Sequence, residues 1–355
     1  MIKYLGSKRL LLPAILDAVR GVAGATSVID LFSGTSRVGH ALKAAGYRVI
    51  ANDHNAYAAT LARCYVQADR ERVFVDATRL IAEFNVLPGS AGYFTQTFCI
   101  ASRFVHPANG ERIDAIREAI AAKGLPPDLK AVMLTSLMEA ADRVDSTVGV
   151  QMAYLKAWAP RAHAPLNLRV PDVLPRAAFG MGEAHQLDAF VAAARLEADI
   201  AYIDPPYNQH SYLGNYHVWE SLVRWDKPPV YGVACKRTDV RERRSPFNSR
   251  PAFADAFRRL LASVCARTLI VSFSDEGFLS RDALAAMLEE IADRDGVRVV
   301  GHDYPRYVGA KIGIHNPAGE KVGRVGRLRN TEYLFVVTRA VQHSTPRQNA
   351  MRAVA

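Results

Sequence analysis

Hydrophobic residues near the start of the chain come first in a short continuous run and then at helical spacing. Residues 28–32 (VIDLF) form an apolar run that ends at Ser33-Gly34, which predicts a strand buried on both faces. Apolar positions recur at helical spacing over residues 35–45, and a second strand is predicted at residues 48–53. This order of strand, turn, helix and strand predicts the first half of a doubly wound α/β sheet.

The pattern changes between residues 57 and 178. Amphipathic helical stretches, such as 111–122 and 128–143, alternate there with loop-like segments, and proline-rich connections follow at 160–175. We therefore predict a mainly helical domain inserted into the sheet domain. The predicted division of the chain is a catalytic sheet domain at 1–56 and 179–340, a helical insertion at 57–178 and a flexible tail at 341–355.

The alternation of helices and strands resumes after the insertion. Strands that alternate with helices are typical of a largely parallel sheet, so this part is predicted to complete the α/β domain. The predicted elements are helices near 184–196, 252–264 and 281–293 and strands at 200–204, 268–273, 297–304 and 331–338.

Composition and charge narrow the class of protein. Half of the 355 residues are apolar, and 45 Lys and Arg stand against 35 Asp and Glu, giving a net charge of +10 that favours polyanionic partners. The four cysteines are scattered, so we expect buried, reduced thiols and no metal site. No apolar stretch approaches the roughly 20 residues of a membrane span, and the N-terminus lacks a signal-peptide cleavage site. We therefore expect a soluble cytoplasmic protein.

The turn after the first strand combines an acid, a small side chain and a glycine. Gly34 can adopt positive φ at little steric cost, and Ser33 is small, so a ligand can approach the backbone closely. Asp53, at the end of the second strand, is suited to bind ribose hydroxyls. The turn lacks the G-x-G-x-x-G pattern of dinucleotide sites, and Asp30 favours a cationic ligand such as S-adenosylmethionine. A structural turn with a solvated carboxylate is the alternative.

A second group of polar residues, Asp204-Pro205-Pro206-Tyr207, stands at the end of a predicted strand. Two consecutive prolines fix φ and remove two N–H donors, so the turn is stiff and presents backbone carbonyls. A carboxylate and a carbonyl can accept from an exocyclic amine while the tyrosine ring stacks on a base. The tetrapeptide therefore favours a site that binds a planar, amine-bearing base, and a strand-ending turn capped by an aspartate is the alternative.

Five short motifs occur in a fixed order along the predicted sheet domain. They are K-Y-L-G-S-K at 3–8, D-L-F-S-G-T at 30–35, Asn52-Asp53, G-E-A-H-Q-L at 182–187 and D-P-P-Y at 204–207. Together they resemble the adenine-specific N6 DNA methyltransferases of the Dam-like group, over residues 1–55 and about 180–340. The resemblance implies an S-adenosylmethionine-dependent enzyme with a doubly wound, Rossmann-like methyltransferase sheet and a mainly helical inserted domain.

The resemblance also assigns roles to individual residues. Glu183 departs from the family pattern, which has an aspartate at this position. The implied cofactor-binding residues are Tyr4, Lys8, Asp30, Phe32, Ser33, Gly34, Asp53 and Glu183, and the implied catalytic residues are Asp204, Pro205, Pro206 and Tyr207.

Double-stranded DNA is the expected partner, and three regions are expected to contact it. The segment after the tetrapeptide is rich in Asn, His and Tyr and lies beside the catalytic turn, where an ordinary polar loop is the alternative. Basic clusters at 236–244 and 306–329 favour phosphate contacts, with a solvated charged face as the alternative. The helical insertion is interpreted as the target-recognition region. The predicted DNA-binding residues are Asn208, His210, Tyr212, Lys236, Arg237, Arg241, Arg243 and Arg244.

The expected reaction is direct transfer of a methyl group to the N6 amine of an adenine flipped out of the duplex. None of the four cysteines lies in a motif typical of the nucleophilic cysteine of cytosine C5 methyltransferases. This argues against cytosine C5 methylation through a covalent intermediate. Methylation of cytosine N4 or of an exocyclic amine in RNA stays open, as does a catalytically silent DNA-binding protein. A cognate restriction enzyme and the oligomeric state are likewise left open by the sequence.

Overall fold

The computed structural model describes residues 1–305 and 329–339. The predicted basic loop at 306–329, apart from its last residue, and the predicted tail at 341–355 lie outside the described residues. The strands in chain order are β1 (Ser27–Asp30), β2 (Arg48–Asn52), β3 (Glu183–His185), β4 (Glu197–Ile203), β5 (Val230–Tyr231), β6 (Lys236–Arg237), β7 (Cys265–Ser274), β8 (Ala292–Pro305) and β9 (Arg329–Arg339).

Within the described residues, seven of these strands form one sheet in the order β3-β2-β1-β4-β7-β9-β8, and β5 and β6 form a separate ribbon. Strands β3, β2, β1, β4 and β7 run parallel to one another. Strand β9 runs antiparallel to both β7 and β8. The predicted doubly wound α/β fold is therefore confirmed, with an antiparallel pair at one edge of the sheet.

Helices precede, connect and cover these strands. They are α1 (Leu12–Arg20), α2 (Arg37–Ala44), α3 (Ala56–Ala62), α4 (Arg70–Asn85), α5 (Pro107–Ala122), α6 (Pro127–Arg143), α7 (Ala189–Arg195), α8 (Tyr212–Asn215), α9 (His217–Arg224), α10 (Arg250–Ser263) and α11 (Arg281–Glu289). Shorter helical turns lie at Lys8–Leu10, Arg63–Gln67, Thr95–Ile100, Pro160–His163, Thr238–Arg241 and Pro246–Asn248.

The central strands are buried on both faces, which explains their continuous apolar sequences. In β7, Ile270 packs into a core that includes α1 and α2, whereas its neighbour Val271 packs into a core that includes α7, α10 and α11. In β1, Val28 and Ile29 divide between the same two cores. Because successive side chains of a strand point to opposite faces, both sets must be apolar when helices cover both sides.

A third hydrophobic cluster belongs mainly to α3–α6. Aromatic side chains such as Phe84 and Phe98 are fully buried in it. Ile2, from the N-terminal segment, and Trp219 and Leu222, from α9, pack into the same cluster. The helical part of the molecule therefore shares its core with residues on either side of the 57–178 segment.

The predicted helix near 184–196 is wrong in its first half. Residues Glu183–His185 instead form β3, which pairs in parallel with Ile50–Asn52 of β2, and α7 begins at Ala189. A three-residue strand at the edge of a sheet has little pattern of its own, because it is specified by its neighbour. Asp188 marks the true start of the helix, since its side chain accepts a hydrogen bond from the Phe190 N–H at 2.9 Å.

The expectations drawn from composition are met in part. Cys64, Cys99 and Cys235 are buried and free, whereas Cys265 is free and exposed at the start of β7. In the part of the chain that the structure describes, no helix combines the length and hydropathy needed to cross a membrane.

Candidate active site

A cavity opens at the carboxyl ends of β1, β2 and β4, where the order of the strands reverses direction. In open α/β sheets, ligands bind in such crevices because the loops that follow neighbouring strands diverge there. Predicted site residues from five separate parts of the chain line this cavity: Tyr4, Lys8, Asp30, Phe32, Ser33, Gly34, Asp53, Asp204, Pro206, Tyr212, Arg243 and Arg244. The fold thus brings the N-terminal motif, the glycine turn, the acid after β2 and the tetrapeptide together.

The glycine turn is shaped by close contacts that leave little room for side chains. Gly34 has φ of +50°, and a Cβ atom at this position would lie 3.2 Å from the ring of Tyr4. The Gly34 N–H donates to Asp53 Oδ2 at 3.0 Å, and the Asn55 N–H donates to Asp53 Oδ1 at 2.9 Å. Burial raises the pKa of Asp53, and these two hydrogen bonds oppose that rise. Asp53 therefore ties the two ligand-facing loops together.

Asp30 is a buried acid whose carboxylate is incompletely satisfied. It is 1% exposed, and its Oδ2 has no hydrogen-bond partner among the described residues. Burial raises its pKa to about 8, and the nearby negative charge of Asp204 adds to that effect. A buried acceptor without a partner normally indicates a missing ligand, ion or water. Its position in the cavity wall makes Asp30 suited to a cationic group.

Asp204 follows β4 directly and forms an ion pair with Lys8. Lys8 Nζ lies 3.0 Å from Asp204 Oδ1 and also contacts Glu332, so one ammonium group lies between two carboxylates. Burial raises the pKa of Asp204 to about 7; Lys8 opposes this rise and Glu332 adds to it. Burial alone would lower the pKa of Lys8, but the two carboxylates outweigh it and raise that pKa. Lys8 therefore contacts the catalytic motif as well as the cavity.

The rest of the tetrapeptide is held against the sheet. Pro205 is buried, and the Tyr207 carbonyl accepts from the Phe278 N–H at 3.0 Å. The Tyr207 ring is half-buried, with its centroid 5.0 Å from that of Phe273, and neither it nor Pro205 is among the residues lining the cavity. The tetrapeptide therefore presents Asp204 and Pro206 to the cavity from a rigid base.

A column of aromatic rings borders the cavity on the side of the N-terminal segment. Tyr4 stacks on Tyr216 with ring centroids 4.5 Å apart and on Tyr212 at 5.2 Å, and its hydroxyl lies 3.1 Å from that of Tyr57. Tyr212 begins α8, where Ser211 Oγ accepts from the Gly214 N–H. Ser211, Tyr212 and Leu213 are thus the part of the segment after the tetrapeptide that reaches the cavity.

Asn208 and His210 lie in the preceding turn and do not line the cavity. The His210 N–H donates to Asn208 Oδ1 at 3.0 Å, and Asn248 Nδ2 donates to the carbonyls of both residues. His210 is exposed and Asn208 is half-buried. The turn is therefore fastened to the segment before α10, with its histidine directed to solvent.

The expectation that Arg237 contacts DNA phosphate is corrected by its burial. Its guanidinium is 1% exposed and bonds to both oxygens of Asp226 at 2.7 and 2.8 Å and to Asp239 at 3.0 Å. These carboxylates neutralise the arginine and hold it away from the surface. Lys236, its neighbour in β6, is half-buried.

The remaining arginines of the basic segment differ in their surroundings. Arg243 donates to the fully buried Glu220 at 2.9 Å and to the carbonyl of His54 at 3.2 Å. Arg241 and Arg244 are exposed, and the guanidinium of Arg241 lies 3.8 Å from the centroid of the Tyr231 ring. The arginines of the basic segment are therefore divided equally: Arg237 and Arg243 are held by carboxylates, and Arg241 and Arg244 are exposed.

Glu183 does not line the cavity. It is half-exposed on the edge strand β3, where it pairs with Arg48 and lies 3.1 Å from His185 Nε2. Asp188, a few residues later, lines the cavity instead. The sequence did contain a signal for it, because an aspartate directly before an apolar helical run is a typical N-cap.

Other cavity residues were missed because nothing in their local sequence marks them. Phe247 lies between β6 and α10 in the chain, yet its ring meets that of Phe32 edge-on, with the centroids 5.4 Å apart. His54 and Asn55 line the cavity beside Asp53. Long-range packing alone brings Phe247 to the site, whereas His54 and Asn55 reach it because they follow Asp53 directly in the chain.

Comparison with known proteins agrees with this geometry. Residues 4–284 match the family model of the D12 class N6 adenine-specific DNA methyltransferases. The type II methyltransferase M.NlaIII of Neisseria lactamica is 29% identical over 326 residues, which cover 88% of this chain and 94% of that protein. M.CviAII of Paramecium bursaria Chlorella virus 1 is also 29% identical, over 81% of this chain and 88% of that protein.

Some relatives are longer than this chain. M.FokI of Planomicrobium okeanokoites is 28% identical over 86% of this chain but only 49% of its own length, so the chain spans about half of that protein. The family match nevertheless covers both the glycine turn and the tetrapeptide. The family predicted from the short motifs is confirmed, and the chain belongs to the D12 class of DNA methyltransferases, which methylate adenine at N6.

Proposed function

We propose that this chain binds S-adenosylmethionine in the cavity at the ends of β1 and β2 and methylates an adenine that Asp204 holds in the same cavity. The observation that carries the proposal is that one cavity is lined by two acids, of which only one has an ion-pair partner. Asp30 has a free, buried carboxylate oxygen, and Asp204 is paired with Lys8. The first is suited to a cationic cofactor and the second to a neutral amine.

The residues around Asp30 fit this cofactor. An ammonium group in the cavity would pair with the carboxylate of Asp30, and ribose hydroxyls would bind Asp53. Phe32 and Phe247 offer apolar ring surface for a purine, and Asp188 offers a carboxylate near it. When bound, S-adenosylmethionine would supply a methyl group on a positively charged sulfur.

Asp204 would act as a hydrogen-bond acceptor for the amine of the target base. Lys8 engages Oδ1, which leaves Oδ2 to accept from an N6–H group. The amine nitrogen gains positive charge as it attacks, so a pre-positioned carboxylate stabilises the transition state more than the ground state. The base must be flipped out because its amine is otherwise paired within the duplex.

DNA would be held by exposed cations and by the helical segment at 57–178, which we propose as the target-recognition region. Arg241 and Arg244 are exposed and Arg244 lines the cavity, so they are the arginines of the 236–244 cluster best placed for phosphate contact. Relatives of this chain are named type II methyltransferases and modification methylases. A restriction enzyme that recognises the same DNA sequence is therefore the partner protein that we propose.

The reaction is tested by substitution at Asp204. Asp204→Ala should lose methyl transfer from labelled S-adenosylmethionine to DNA while still binding the cofactor in a calorimetric titration. Asp199→Ala is a matched control, because Asp199 lies in the same strand and bonds to Thr26 and Ser27, far along β4 from the cavity. Near-normal turnover by Asp204→Ala would overturn the proposed role.

The identity of the base is tested separately. DNA methylated by the protein is digested to nucleosides and analysed by mass, and N6-methyladenine is the expected product. N4-methylcytosine, or methylation of RNA alone, would contradict the proposal. Single-molecule sequencing of DNA from cells that express the protein would then give the target sequence, and protection of that sequence from a restriction enzyme tests the proposed partner.

A further inference from the structure

We propose that Glu332 is a positioning residue for methyl transfer, which holds Lys8 so that Lys8 engages Asp204 without capturing its whole carboxylate. The inference rests on the proposed role of Asp204. Glu332 lies near the start of β9, 1% exposed, and contacts Lys8 Nζ through Oε1. The same oxygen accepts from Ser272 Oγ at 2.7 Å. On its other side, Lys8 Nζ lies 3.0 Å from Asp204 Oδ1.

The sheet places these groups next to one another. Asp204 follows β4, Ser272 lies on β7 and Glu332 lies on β9, and these three strands are neighbours in that order. Lys8 comes from the N-terminal turn, 324 residues away from Glu332 in the chain. The cluster therefore joins the N-terminal motif to the carboxyl end of β4, where the tetrapeptide begins.

Burying the carboxylate of Glu332 next to Lys8 is energetically unfavourable in itself. Lys8 alone would neutralise Asp204, whereas burying a further charge is unfavourable unless that charge is well paired. A lysine side chain is flexible, and its ammonium group has three donors that can rotate toward any nearby acceptor. With Glu332 and Ser272 on one side, the ammonium is shared. Asp204 then keeps an oxygen that can accept from a base.

Glu332 also affects Asp204 through its negative charge. Glu332 adds negative charge beside Asp204 and opposes the effect of Lys8 on its pKa. Removing the charge of Glu332 should therefore lower the pKa of Asp204, and removing that of Lys8 should raise it. The other titratable groups that interact with Asp204 are Asp30, Tyr202, Tyr207 and Tyr212, and they are unchanged in both variants.

The experiment compares kcat, KM and their pH dependence in wild type and Glu332→Gln. Loss of positioning should lower kcat on the order of 10- to 100-fold, with cofactor and DNA affinities changed by about 2-fold or less. The acid limb of the kcat profile should move to lower pH in Glu332→Gln and to higher pH in Lys8→Met. In the Lys8→Met background, Glu332→Gln should still move the acid limb through its charge but should have no further effect on the pH-independent kcat, because positioning by Glu332 acts through Lys8.

Two further variants complete the test. Ser272→Ala removes one hydrogen bond to Glu332 without changing charge, so it should lower kcat by roughly 3- to 10-fold and leave the acid limb in place. It also serves if Glu332→Gln fails to fold. Glu276→Gln is the matched control, because Glu276 is an exposed acid near the same sheet edge that accepts from Asn330. Its kinetics should equal those of wild type.

The outcomes separate this inference from the proposed function. Wild-type methylation of adenine together with wild-type kcat and an unshifted acid limb in Glu332→Gln would overturn the role of Glu332 alone. Additive losses of kcat in the double variant would also overturn it. Absence of N6-methyladenine from the wild-type reaction would overturn the proposed function and this inference with it.

Discussion

Three aspartates, Asp30, Asp53 and Asp204, end up in one cavity with their pKa values raised by burial. The unfavourable burial of each carboxylate is offset to a different extent. Asp53 accepts backbone hydrogen bonds, Asp204 pairs with Lys8, and Asp30 keeps an oxygen without a partner in the described part of the chain. Such an arrangement is unfavourable for the stability of the unliganded protein and is characteristic of a site that a cation completes.

Asp30→Asn tests this view through stability and binding together. The pKa of Asp30 is about 8 in the folded protein against an ordinary value of 3.8, so the folded state binds more protons than the unfolded state between these values. Wild-type stability should therefore fall as pH rises through this range. The neutral variant should have a higher free energy of unfolding than wild type, by roughly 1–3 kcal/mol at pH 8.5. This difference should vanish near pH 4.

The same variant should bind S-adenosylmethionine more weakly, on the order of 10- to 100-fold, because it cannot pair with the ammonium group. Denaturant titrations across pH and calorimetry at pH 8 measure the two effects. A variant no more stable than wild type at pH 8.5, or with unchanged cofactor affinity, would contradict the assignment.

Burial also separates arginines that are equivalent in the sequence. Arg237→Met should destabilise the protein by roughly 3 kcal/mol, because it removes the buried cation that Asp226 and Asp239 share and leaves them the more exposed Arg224. Arg241→Met, at an exposed arginine of the same segment, should change stability by less than about 0.5 kcal/mol. Chemical denaturation of both variants makes the comparison, and equal losses of stability would contradict it.

At the scale of elements, local sequence was a good guide where an element has its own periodicity. The strand at the start of the sheet and the helices at 111–122 and 128–143 were predicted from apolar spacing and are present as β1, α5 and α6, although α5 begins four residues earlier than predicted, at Pro107. Strand β3 was missed because its three residues are specified by pairing with β2. The predicted helix at 281–293 is shorter for a similar reason, since Ala292 already begins β8.

One helix also organises a loop through a single buried acid. Asp114, on α5, is 2% exposed and accepts from the N–H groups of Gly92, Phe94 and Thr95. Asp114→Ala leaves these donors unpaired and should lower the free energy of unfolding by roughly 3 kcal/mol.

Thermal or denaturant unfolding measures this loss, with Asp76→Ala as the matched control. Asp76 is an exposed acid on α4 that pairs only with Arg79 among the ion pairs of the described residues. Its removal should cost less than about 0.5 kcal/mol. A loss at Asp114 as small as that at Asp76 would show that the loop is held by other contacts.

At the scale of the whole molecule, the net charge of +10 is divided between neutralised and exposed cations. Only exposed cations release counterions from DNA, so net charge overstates the phosphate contacts. Arg244→Ala should weaken DNA binding uniformly across sequences and reduce the slope of log K against log salt by about 0.9.

Binding isotherms at several salt concentrations measure that slope. Arg258→Ala is the control, because this exposed arginine on α10 pairs with Glu290 and does not line the cavity. An unchanged slope in Arg244→Ala, or an equal change in Arg258→Ala, would remove Arg244 from the proposed DNA surface.

The sequence by itself determined the parts of this protein that depend on neighbouring residues. Strands with apolar runs, helices with their own spacing, the glycine turn and the stiff tetrapeptide all follow from local sterics and hydrophobicity. The order of the short motifs was also enough to predict the family, and the match of residues 4–284 to the family model confirms that prediction.

Only the tertiary structure decided which charges are paired and which line the cavity. Nothing near Arg237 in the sequence shows that Asp226 will neutralise it, and nothing near Lys8 shows that Glu332 will lie beside it. Ion pairing and burial depend on distances through space, and the sheet brings together groups that the chain keeps apart. The local chemistry of the site is therefore a property of the sequence, and its electrostatics are a property of the fold.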